Sequence, residues 1–331
     1  MHGKIDNRLA KFFLAWLLAA ATAAWHVPGA AQTYPDKPIT IIVPYTAGTL
    51  ADLFARTVGN ELATTLKQPV IVDNRPGAGQ VVGASVVARA APNGYTLMVA
   101  AFPNIVPQSI QKTLPYKGNL DFAPVAHVAT VANPLVVSMN VPANNLHDFI
   151  ALLKANPGRY SYGSAGVGSP IHLFGEVFNV AAGTKSVHIP YKSFQTALID
   201  IGSGQLDYGF MTFAAMQQVA LGKMKVLGTP GAQRDHGYPQ VPTLDEQGMK
   251  GFTAVINYVI MAPKATPPAI VEKLNAAINA ATSSEAYASK VRAAGGVTVQ
   301  KPMTSAQLAA MLSREEDRWQ KVVKDQNITV E

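Results

Sequence analysis

The chain has 331 residues, no cysteine and a formal net charge of +7, and 48% of its residues are hydrophobic. Its length exceeds what one compact core usually holds, so we expect two domains stabilised by hydrophobic burial without disulfides. The basic residues are scattered, with no basic run interleaved with aromatic residues, which excludes nucleic acid as a partner. The positive excess is either a mild attraction for anions or ordinary surface charge.

The first 31 residues have the layout of a secretory signal peptide. Basic residues precede an apolar run over residues 12–25, and small residues up to Ala31 stand before Gln32. An uncleaved anchor is less favoured, because the run is short for a bilayer span and Thr22 interrupts it. No later stretch is long and apolar enough to cross a membrane. We therefore expect an exported protein whose signal is cleaved near Ala31.

The next predicted unit is a buried strand followed by an amphipathic helix. Residues 39–43 form a β-branched run of strand length, and apolar residues then recur at every fourth position, at Leu50, Phe54, Val58, Leu62 and Leu66. Between them lies a first loop of small and hydroxyl-bearing residues, Tyr45, Thr46, Ala47, Gly48 and Thr49. The start of a helix offers unpaired N–H groups and a partial positive charge, which suits a carboxylate or phosphate. The alternative is that Thr49 only caps the helix.

A glycine-containing stretch follows the second predicted strand, Pro69–Asp73. Its spacing, Gly77-x-Gly79-x-x-x-Gly83, differs from the dinucleotide fingerprint, and no acidic residue ends the next strand, 95–100. A tight turn into a helix over Val81–Ala90 explains the same residues.

Strands and helices alternate through the rest of the chain, which is typical of parallel sheets with helices on their faces. Further predicted strands are Pro134–Met139, Arg159–Tyr162, Val187–Pro190 and Val255–Ala262. Further predicted helices are Leu146–Ala155, Ile171–Ala181, Pro268–Ala281 and Ser305–Asp325. The runs 134–139 and 255–262 are candidates for the two crossings between domains. The last helix is predicted to pack as a lid on the core of the first domain.

A second loop of low side-chain bulk precedes the predicted helix 171–181. Its members are Ser164, Ala165, Gly166, Gly168 and Ser169. Such a loop lets backbone N–H groups approach an anion closely, as the first loop does. In the first turn of the helix, His172 can donate to a ligand or make a structural hydrogen bond, and the structural role is favoured. Asp52 in the first helix would repel an anion directly, so we expect it to organise loop N–H groups or ligand water, or to accept from Thr49.

Collinear motifs run through the whole mature chain and resemble one family. They are Tyr34-Pro35-x-Lys37-Pro38-Ile39, Pro44-Tyr45 with Asp52, Asp73-Asn74-Arg75-Pro76-Gly77-Ala78-Gly79, Ala91-Pro92-Asn93-Gly94-Tyr95-Thr96-Leu97, Leu120-Asp121-Phe122-Ala123-Pro124-Val125, Tyr162-Gly163-Ser164-Ala165-Gly166-Val167-Gly168-Ser169, His188-Ile189-Pro190-Tyr191-Lys192, Gly204-Gln205-Leu206-Asp207, Val241-Pro242-Thr243-Leu244-Asp245-Glu246-Gln247-Gly248 and Ala262-Pro263. The sequence resembles the substrate-binding component of tripartite tricarboxylate transporters, the Bug or TctC family of periplasmic solute receptors.

The resemblance implies a two-lobed α/β periplasmic binding protein, type II-like, in which each lobe is a sheet flanked by helices and a hinge joins the lobes. It implies a first lobe from residues 34–131 plus 255–331 and a second from 132–254. It also implies a small organic carboxylate held by both loops, Asp52 and His172, partly through water. The partners would be integral membrane transporter subunits or a sensor pathway, with the receptor a monomer, periplasmic and without a cofactor.

Departures from the family pattern bear on the ligand. The first loop continues Gly48-Thr49-Leu50-Ala51-Asp52, with fewer glycines and more bulk than in similar proteins. Met211 stands where relatives often have an acidic residue, which argues against recognition of an amino group. Segments that tend to line the cleft carry aromatic residues, and these favour an aromatic or other non-amino carboxylate, although core packing is their commoner fate. These residues are Phe102, Phe194, Phe213 and Tyr258, joined by Tyr191, while Lys192 is either a counter-charge or solvated.

The rival hypothesis is a periplasmic hydrolase using Ser164 or Ser169. It fits poorly, because Tyr162 breaks the G-x-S-x-G pattern and no suitable Asp and His follow. A metal site is also disfavoured, since the histidines at 172, 188 and 236 are widely separated in the sequence. A ligand-binding protein coupled to a sensor, without a transport role, remains the second alternative.

Overall fold

The computed structural model describes residues 34–77, 80–102, 114–117, 121–231, 233–235, 237–294, 297–298 and 301–325. The predicted signal peptide lies outside these residues, as do Ala78, Gly79 and His236. The sheets and helices belong to one compact unit, Lys37–Glu331. Within the described ranges, no helix combines the length and the apolar character that a bilayer span needs.

The first sheet has six strands. They are β1 (Ile39–Val43), β2 (Val70–Asn74), β3 (Thr96–Phe102), β4 (Phe122–Ala132), β10 (Val255–Pro263) and β11 (Val297–Thr298). Their order is β11-β4-β10-β3-β1-β2. β1 runs parallel to β2 and β3, whereas β10 runs antiparallel to β3 and β4.

The second sheet has five strands. They are β5 (Leu135–Ser138), β6 (Ser161–Ser164), β7 (Val187–Pro190), β8 (Tyr208–Phe210) and β9 (Met224–Gly228), in the order β7-β6-β8-β5-β9. The helices are α1 (Leu50–Leu66), α2 (Val81–Ala88), α3 (Leu146–Ala155), α4 (Pro170–Ala182), α5 (Phe194–Ser203), α6 (Ala215–Ala220), α7 (Pro268–Thr282), α8 (Glu285–Arg292) and α9 (Ser305–Asp325). The predicted fold class, two sheets flanked by helices, is confirmed.

Both sheets contain the same β-α-β-α-β arrangement. β1, α1, β2, α2 and β3 place β1 between β2 and β3, and β6, α4, β7, α5 and β8 place β6 between β7 and β8. In each, the chain leaves the middle strand toward one neighbour and then returns to the other side. Such a reversal opens a crevice at the carboxyl end of the middle strand, where open α/β sheets bind ligands. The first and second loops follow β1 and β6, the two middle strands.

Local sequence explains these units. The side chains of Phe54, Val58 and Leu62 are fully buried, so the fourfold spacing of α1 is a core-facing stripe against β1, β2 and β3. β1 is apolar at four of its five positions because it lies between two other strands and under helices. α4 begins at Pro170 after the N-cap Ser169 and ends at Ala182, followed by the C-cap Gly183, whose φ of 63° is the left-handed conformation that favours glycine.

One sequence-based expectation stays a prediction and another is wrong in part. The runs 134–139 and 255–262, proposed as crossings between domains, contain β5, which pairs with β8 and β9 inside the second sheet, and β10, which pairs with β3 and β4 inside the first. The final helix, α9, does pack on β4 of the first sheet, but it also contacts α4 of the second. Trp319 of α9 lies 5.7 Å from Phe174 of α4, between ring centroids. The helix therefore joins the two sheets instead of covering one.

Candidate ligand-binding site

The first loop leaves β1 and exposes a short backbone segment before α1. Thr46, Ala47 and Gly48 are exposed, and Gly48 has a φ of 84° with open space around it, since a Cβ added there would meet no heavy atom within 4 Å. The first intrahelical bond runs from Leu53 N–H to Thr49 O at 2.9 Å. The N–H groups that precede it in the first turn are the ones that a helix leaves without intrahelical partners.

Thr49 occupies the N-cap position of α1 without capping it. Its side chain makes no cap hydrogen bond, and its Oγ1 donates to Thr46 O at 2.9 Å. The alternative that Thr49 merely caps the helix is therefore wrong, because its hydroxyl is used within the loop. The start of α1 keeps its N–H groups for other acceptors.

Asp52 lies beneath the first loop and is 5% exposed. Its Oδ2 accepts from Gly48 N–H at 3.0 Å and from Arg56 Nε at 3.1 Å, and its Oδ1 accepts from Asn74 Nδ2 at 2.9 Å. Arg56 Nη2 also lies 3.0 Å from Oδ1, which completes a two-point ion pair. The expectation that Asp52 organises a loop N–H group is confirmed.

The protonation of Asp52 follows from these contacts. Burial alone would raise its pKa, but the hydrogen bonds from Arg56, Gly48 N–H and Asn74 lower the pKa below the ordinary value of 3.8. The carboxylate is therefore charged at neutral pH, with its charge balanced by Arg56. An anion near the first loop does not meet an uncompensated negative group.

Several N–H groups of the second loop already donate hydrogen bonds, either within the loop or to α4. Gly166 N–H donates to Ser164 Oγ at 3.1 Å, Gly168 N–H to His172 Nδ1 at 3.1 Å, and Ser169 N–H to Gly166 O at 3.2 Å. The side chain of Ser169 accepts from His172 N–H and so caps α4. Ala165 is exposed, and its N–H donates to no acceptor among the residues that the structure describes. The loop is thus more self-contained than its composition suggests.

Two stacked histidines support the second loop. The rings of His172 on α4 and His188 on β7 are parallel within 24°, with centroids 3.9 Å apart. His188 Nε2 lies 2.7 Å from Ser164 Oγ, and Ser164 Oγ also lies 2.9 Å from Gly166 O. The hydroxyl of Ser164 has one proton and donates it to Gly166 O, because a carbonyl oxygen can only accept. Both contacts of the hydroxyl are then hydrogen bonds when His188 Nε2 donates to Ser164 Oγ. The structural role favoured for His172 agrees with its bond from Gly168 N–H.

Both imidazoles are neutral at neutral pH. Burial lowers the pKa of His172 to about 4, and burial together with the neighbouring His172 lowers the pKa of His188 to about 3. Because His172 Nδ1 accepts from Gly168, the proton of its neutral ring is on Nε2, 3.8 Å from Glu176 Oε1. Glu176 also accepts from the hydroxyl of Tyr162, whose ring lies 5.0 Å from that of His188, between centroids.

The predicted aromatic residues are packed inside the protein. Phe102, Phe213 and Tyr258 are 1%, 4% and 8% exposed. Tyr258 packs edge-on against Phe54 of α1 at 4.9 Å, and Phe213 packs against Tyr238 at 5.2 Å, between ring centroids. These positions favour the core-packing alternative for the three rings, and their role in binding stays a prediction.

Phe194 is half-buried and packs against the core, whereas Tyr191 lies next to the second loop. Its N–H donates to Ser164 O at 3.0 Å, and its hydroxyl donates to Asp200 Oδ2 at 2.8 Å. Burial, with help from Asp200, raises its pKa to about 12, so the hydroxyl stays protonated. Lys192 is exposed, which agrees with the solvated alternative.

The Ser164 and His188 pair has the spacing of a nucleophile and its base. Ser164 is only 1% exposed, however, and its Oγ is bonded on two sides to Gly166. His188 donates to it, so the ring is not placed as a base. In the described ranges, no three His, Asp or Glu side chains are grouped to hold a metal ion. The geometry is that of a loop support.

Sequence reasoning missed four supporting residues, Arg56, Asn74, Glu176 and His188. Arg56 stands four residues after Asp52 and Glu176 four after His172, which is a readable helical signal. Asn74 ends β2 opposite Val43 at the end of β1, and strand ends in a parallel pair lie at one edge. For His188, the alternation of side chains along β7 predicts which face of the sheet the side chain lies on, but it does not predict the contact with the ring of His172.

Comparisons with known proteins agree with this arrangement. The model of the TctC family, described as the tripartite tricarboxylate transporter family receptor, matches residues 54–328. Protein BugT of Bordetella pertussis is 34% identical over 308 residues, which cover 92% of this chain and 94% of that protein. The solved structure of R. palustris Rpa4515 with adipate has a TM-score of 0.77 at 28% identity, covering 90% of this chain and 100% of that one.

A second solved structure, MatC from Rhodopseudomonas palustris with bound malate, has a TM-score of 0.74 at 29% identity and covers 88% of this chain and 100% of that one. The family consists of substrate-binding receptors and not of enzymes. The matched model, the relatives and the two-sheet architecture agree, and the chain belongs to the TctC (Bug) family of tripartite tricarboxylate transporter receptors.

Proposed function

We propose that the protein is a periplasmic receptor that binds a small organic carboxylate in a cleft between two lobes and delivers it to a tripartite tricarboxylate-type membrane transporter. The lobes are residues 34–131 with 255–331, and residues 132–254. The observation that carries the proposal is the repeated unit: each sheet places a loop of small residues and a helix start after its middle strand. Adipate and malate in the two similar structures support the ligand class.

In this mechanism the two loops have unequal roles. The first loop presents the unpaired N–H groups of the start of α1 and captures the carboxylate. The second loop, whose N–H groups are largely used internally, adds the Ala165 N–H and small side chains when the lobes close. Closure is a population shift set by the contacts that the ligand makes only in the closed form.

The ligand is a carboxylate without an amino group. An ammonium group needs an acidic partner, but the carboxylate of Asp52 is already occupied by Arg56, Asn74 and Gly48, and position 211 is a buried methionine. We favour an aromatic or other non-amino carboxylate. Export through the N-terminal signal segment and a monomeric state belong to the same proposal.

A thermal-shift screen followed by calorimetry tests the function. Purified protein is titrated with adipate, malate, benzoate and glutamate, and a binder raises the unfolding midpoint because it stabilises only the folded form. We expect a non-amino carboxylate to bind and glutamate to bind more weakly. Tighter binding of glutamate would contradict the ligand class, and the absence of any binder among carboxylates would contradict the receptor function.

Two variants test whether the second loop takes part in binding and whether it carries a hydrolase activity. Gly168 has a φ of 78°, so Gly168→Val strains the loop and should weaken binding of the best carboxylate at least about tenfold while leaving the unliganded fold intact. Ser164→Ala is tested in parallel for ester hydrolysis. Turnover that disappears in Ser164→Ala would favour the hydrolase.

A further inference from the structure

The end of β2 contributes a side chain to the first loop. Asn74 is half-buried, and its Nδ2 donates to Tyr45 O at 3.1 Å and to Asp52 Oδ1 at 2.9 Å. Its Oδ1 accepts from Arg56 Nη2 at 3.0 Å. One amide thus bonds the backbone at the start of the loop, the acid beneath the loop and the base that neutralises this acid.

The parallel sheet explains why Asn74 is in this position. Val43 and Asn74 are register partners at the carboxyl ends of β1 and β2, and Arg75 N–H donates to Val43 O at 2.8 Å. The chain that leaves β1 must therefore pass the side chain of Asn74. Only an amide offers two donors and an acceptor on such a short side chain. An aspartate here would place a second carboxylate against Asp52 and Tyr45 O.

We propose that Asn74 is a positioning residue that makes the first loop selective for anions. By donating to Tyr45 O and Asp52, it holds the carboxylate of Asp52 toward Arg56 and Gly48 N–H. The loop then presents the N–H groups of the start of α1 without a free negative charge. The anion selectivity rests on the proposed function, whereas the control of loop geometry does not depend on any ligand.

The variants separate charge from geometry. Asn74→Asp removes both donated bonds and adds a negative charge beside Asp52. The double variant Asp52→Asn with Asn74→Asp returns one acid and one amide to the pair in reversed positions, so it restores their mutual bond but not the bond to Tyr45 O. Asn60→Asp is the matched control, because Asn60 is exposed on α1, about two turns after Asp52. Asn74→Ser replaces Asn74→Asp if the latter fails to fold.

The first measurement is hydrogen–deuterium exchange of the unliganded protein in the segment 45–50. We expect Asn74→Asp to accelerate exchange of the Gly48 amide in this segment about tenfold, since its hydrogen bond to the carboxylate of Asp52 is weakened when Asp52 is no longer held in place. The double variant should recover part of this protection, and Asn60→Asp should exchange like the wild type. Unchanged exchange in a folded Asn74→Asp protein would overturn the proposal, and so would equal acceleration in the double variant.

The second measurement is calorimetry with adipate, malate and benzoate. For whichever of these binds the wild type, Asn74→Asp should weaken binding by about tenfold or more, and Asn60→Asp by less than about twofold. Equal affinities in wild type and Asn74→Asp would overturn the selectivity claim. If none of the three binds the wild type, the proposed function fails, and the exchange experiment still decides the positioning role.

Discussion

The first and second loops follow the middle strand of the same β-α-β-α-β arrangement, yet they are held by opposite chemistry. Charged groups organise the first loop, with Asp52 balanced by Arg56 and connected to Asn74. Neutral groups organise the second, with His172 and His188 stacked under it. The fold therefore fixes where a loop lies, and the residues beneath it decide whether its N–H groups stay available.

In the proposed mechanism, this difference assigns capture of the anion to the first loop and completion of the site on closure to the second. The first loop leaves the start of α1 uncapped, because the hydroxyl of Thr49 bonds to Thr46 O. The second loop caps α4 with Ser169 and turns the N–H of Gly168 onto His172. An anion has more to gain from the first loop alone.

The largest expected effect concerns the packing under the second loop. A Cβ at Gly175 of α4 would lie 2.1 Å from Cε2 of Tyr162, whereas one at Gly59 of α1 would lie 3.2 Å from Cγ1 of Val70. Gly175→Ala should cost about 3 kcal/mol through overpacking. Gly59→Ala should stay within about 1 kcal/mol, because helix propensity offsets the closer contact. Urea unfolding of both variants checks this; equal losses would mean that the two helices pack alike.

The second largest effect is expected in the pH dependence of the unfolding free energy, which should differ between the two loops. The pKa of His172 is about 4 in the folded protein and near its ordinary 6.5 in the unfolded chain. Its contribution to stability is therefore complete above pH 6.5 and is lost as the pH falls toward about 4. One differential proton gives a slope of up to about 1.4 kcal/mol per pH unit.

His172→Asn keeps an acceptor for Gly168 N–H but does not titrate, so its unfolding free energy should vary less steeply over this range. The contribution of Asp52 persists to lower pH, because its pKa lies below 3.8 and its stabilisation is lost only as the pH falls through that lowered value. Unfolding curves at several pH values measure both. Parallel profiles for wild type and His172→Asn would assign the slope to other groups.

A smaller effect is expected at the charged loop. Arg56→Gln removes the ion pair with Asp52, and since the Arg56 side chain is 51% exposed to screening solvent, the loss of stability should be small. High salt should shrink the difference between wild type and variant. Unfolding midpoints at low and high salt test this, with His172→Asn as the comparison from the neutral loop. A difference that does not respond to salt would point to packing of the Arg56 stem.

The smallest effect is expected at Lys192, which is exposed beyond the end of β7. Lys192→Gln should change the unfolding free energy by less than about 0.5 kcal/mol. It should also leave the affinity for the best carboxylate of the screen nearly unchanged. Calorimetry decides between this result and the counter-charge alternative, which requires a clear loss of affinity.

Local pattern predicted much of the fold. The fourfold spacing of α1, the β-branched β1 and the alternation of elements were sufficient to predict parallel sheets with helices on their faces, and the family resemblance implied that there are two of them. β6 begins and ends two residues later than expected. Gly163 and Ser164 have weak strand preferences, so the sequence does not show that the strand continues through them. The partners of β5 and β10 were not predicted, because an apolar run shows that a strand is buried without showing which strands lie beside it.

For the site, sequence identified the loops but not the groups that hold them. Asp52 and His172 were recognised as organising residues, and both make a hydrogen bond with a loop N–H group. Asn74 and His188 come from other strands, at sequence separations of 22 residues from Asp52 and 24 from Ser164. Such contacts depend on sheet order, which periodicity does not encode.

The helix that joins the two sheets also carries a built-in optical probe. The sequence has three tryptophans, at positions 16, 25 and 319, so a chain produced without its first 31 residues has a single indole. Trp319 is 1% exposed, donates to Glu315 and packs on Phe174 across the junction. The fluorescence of Trp319 should be blue-shifted in the unliganded protein. Any movement of one sheet relative to the other would change this emission, so no added dye is needed.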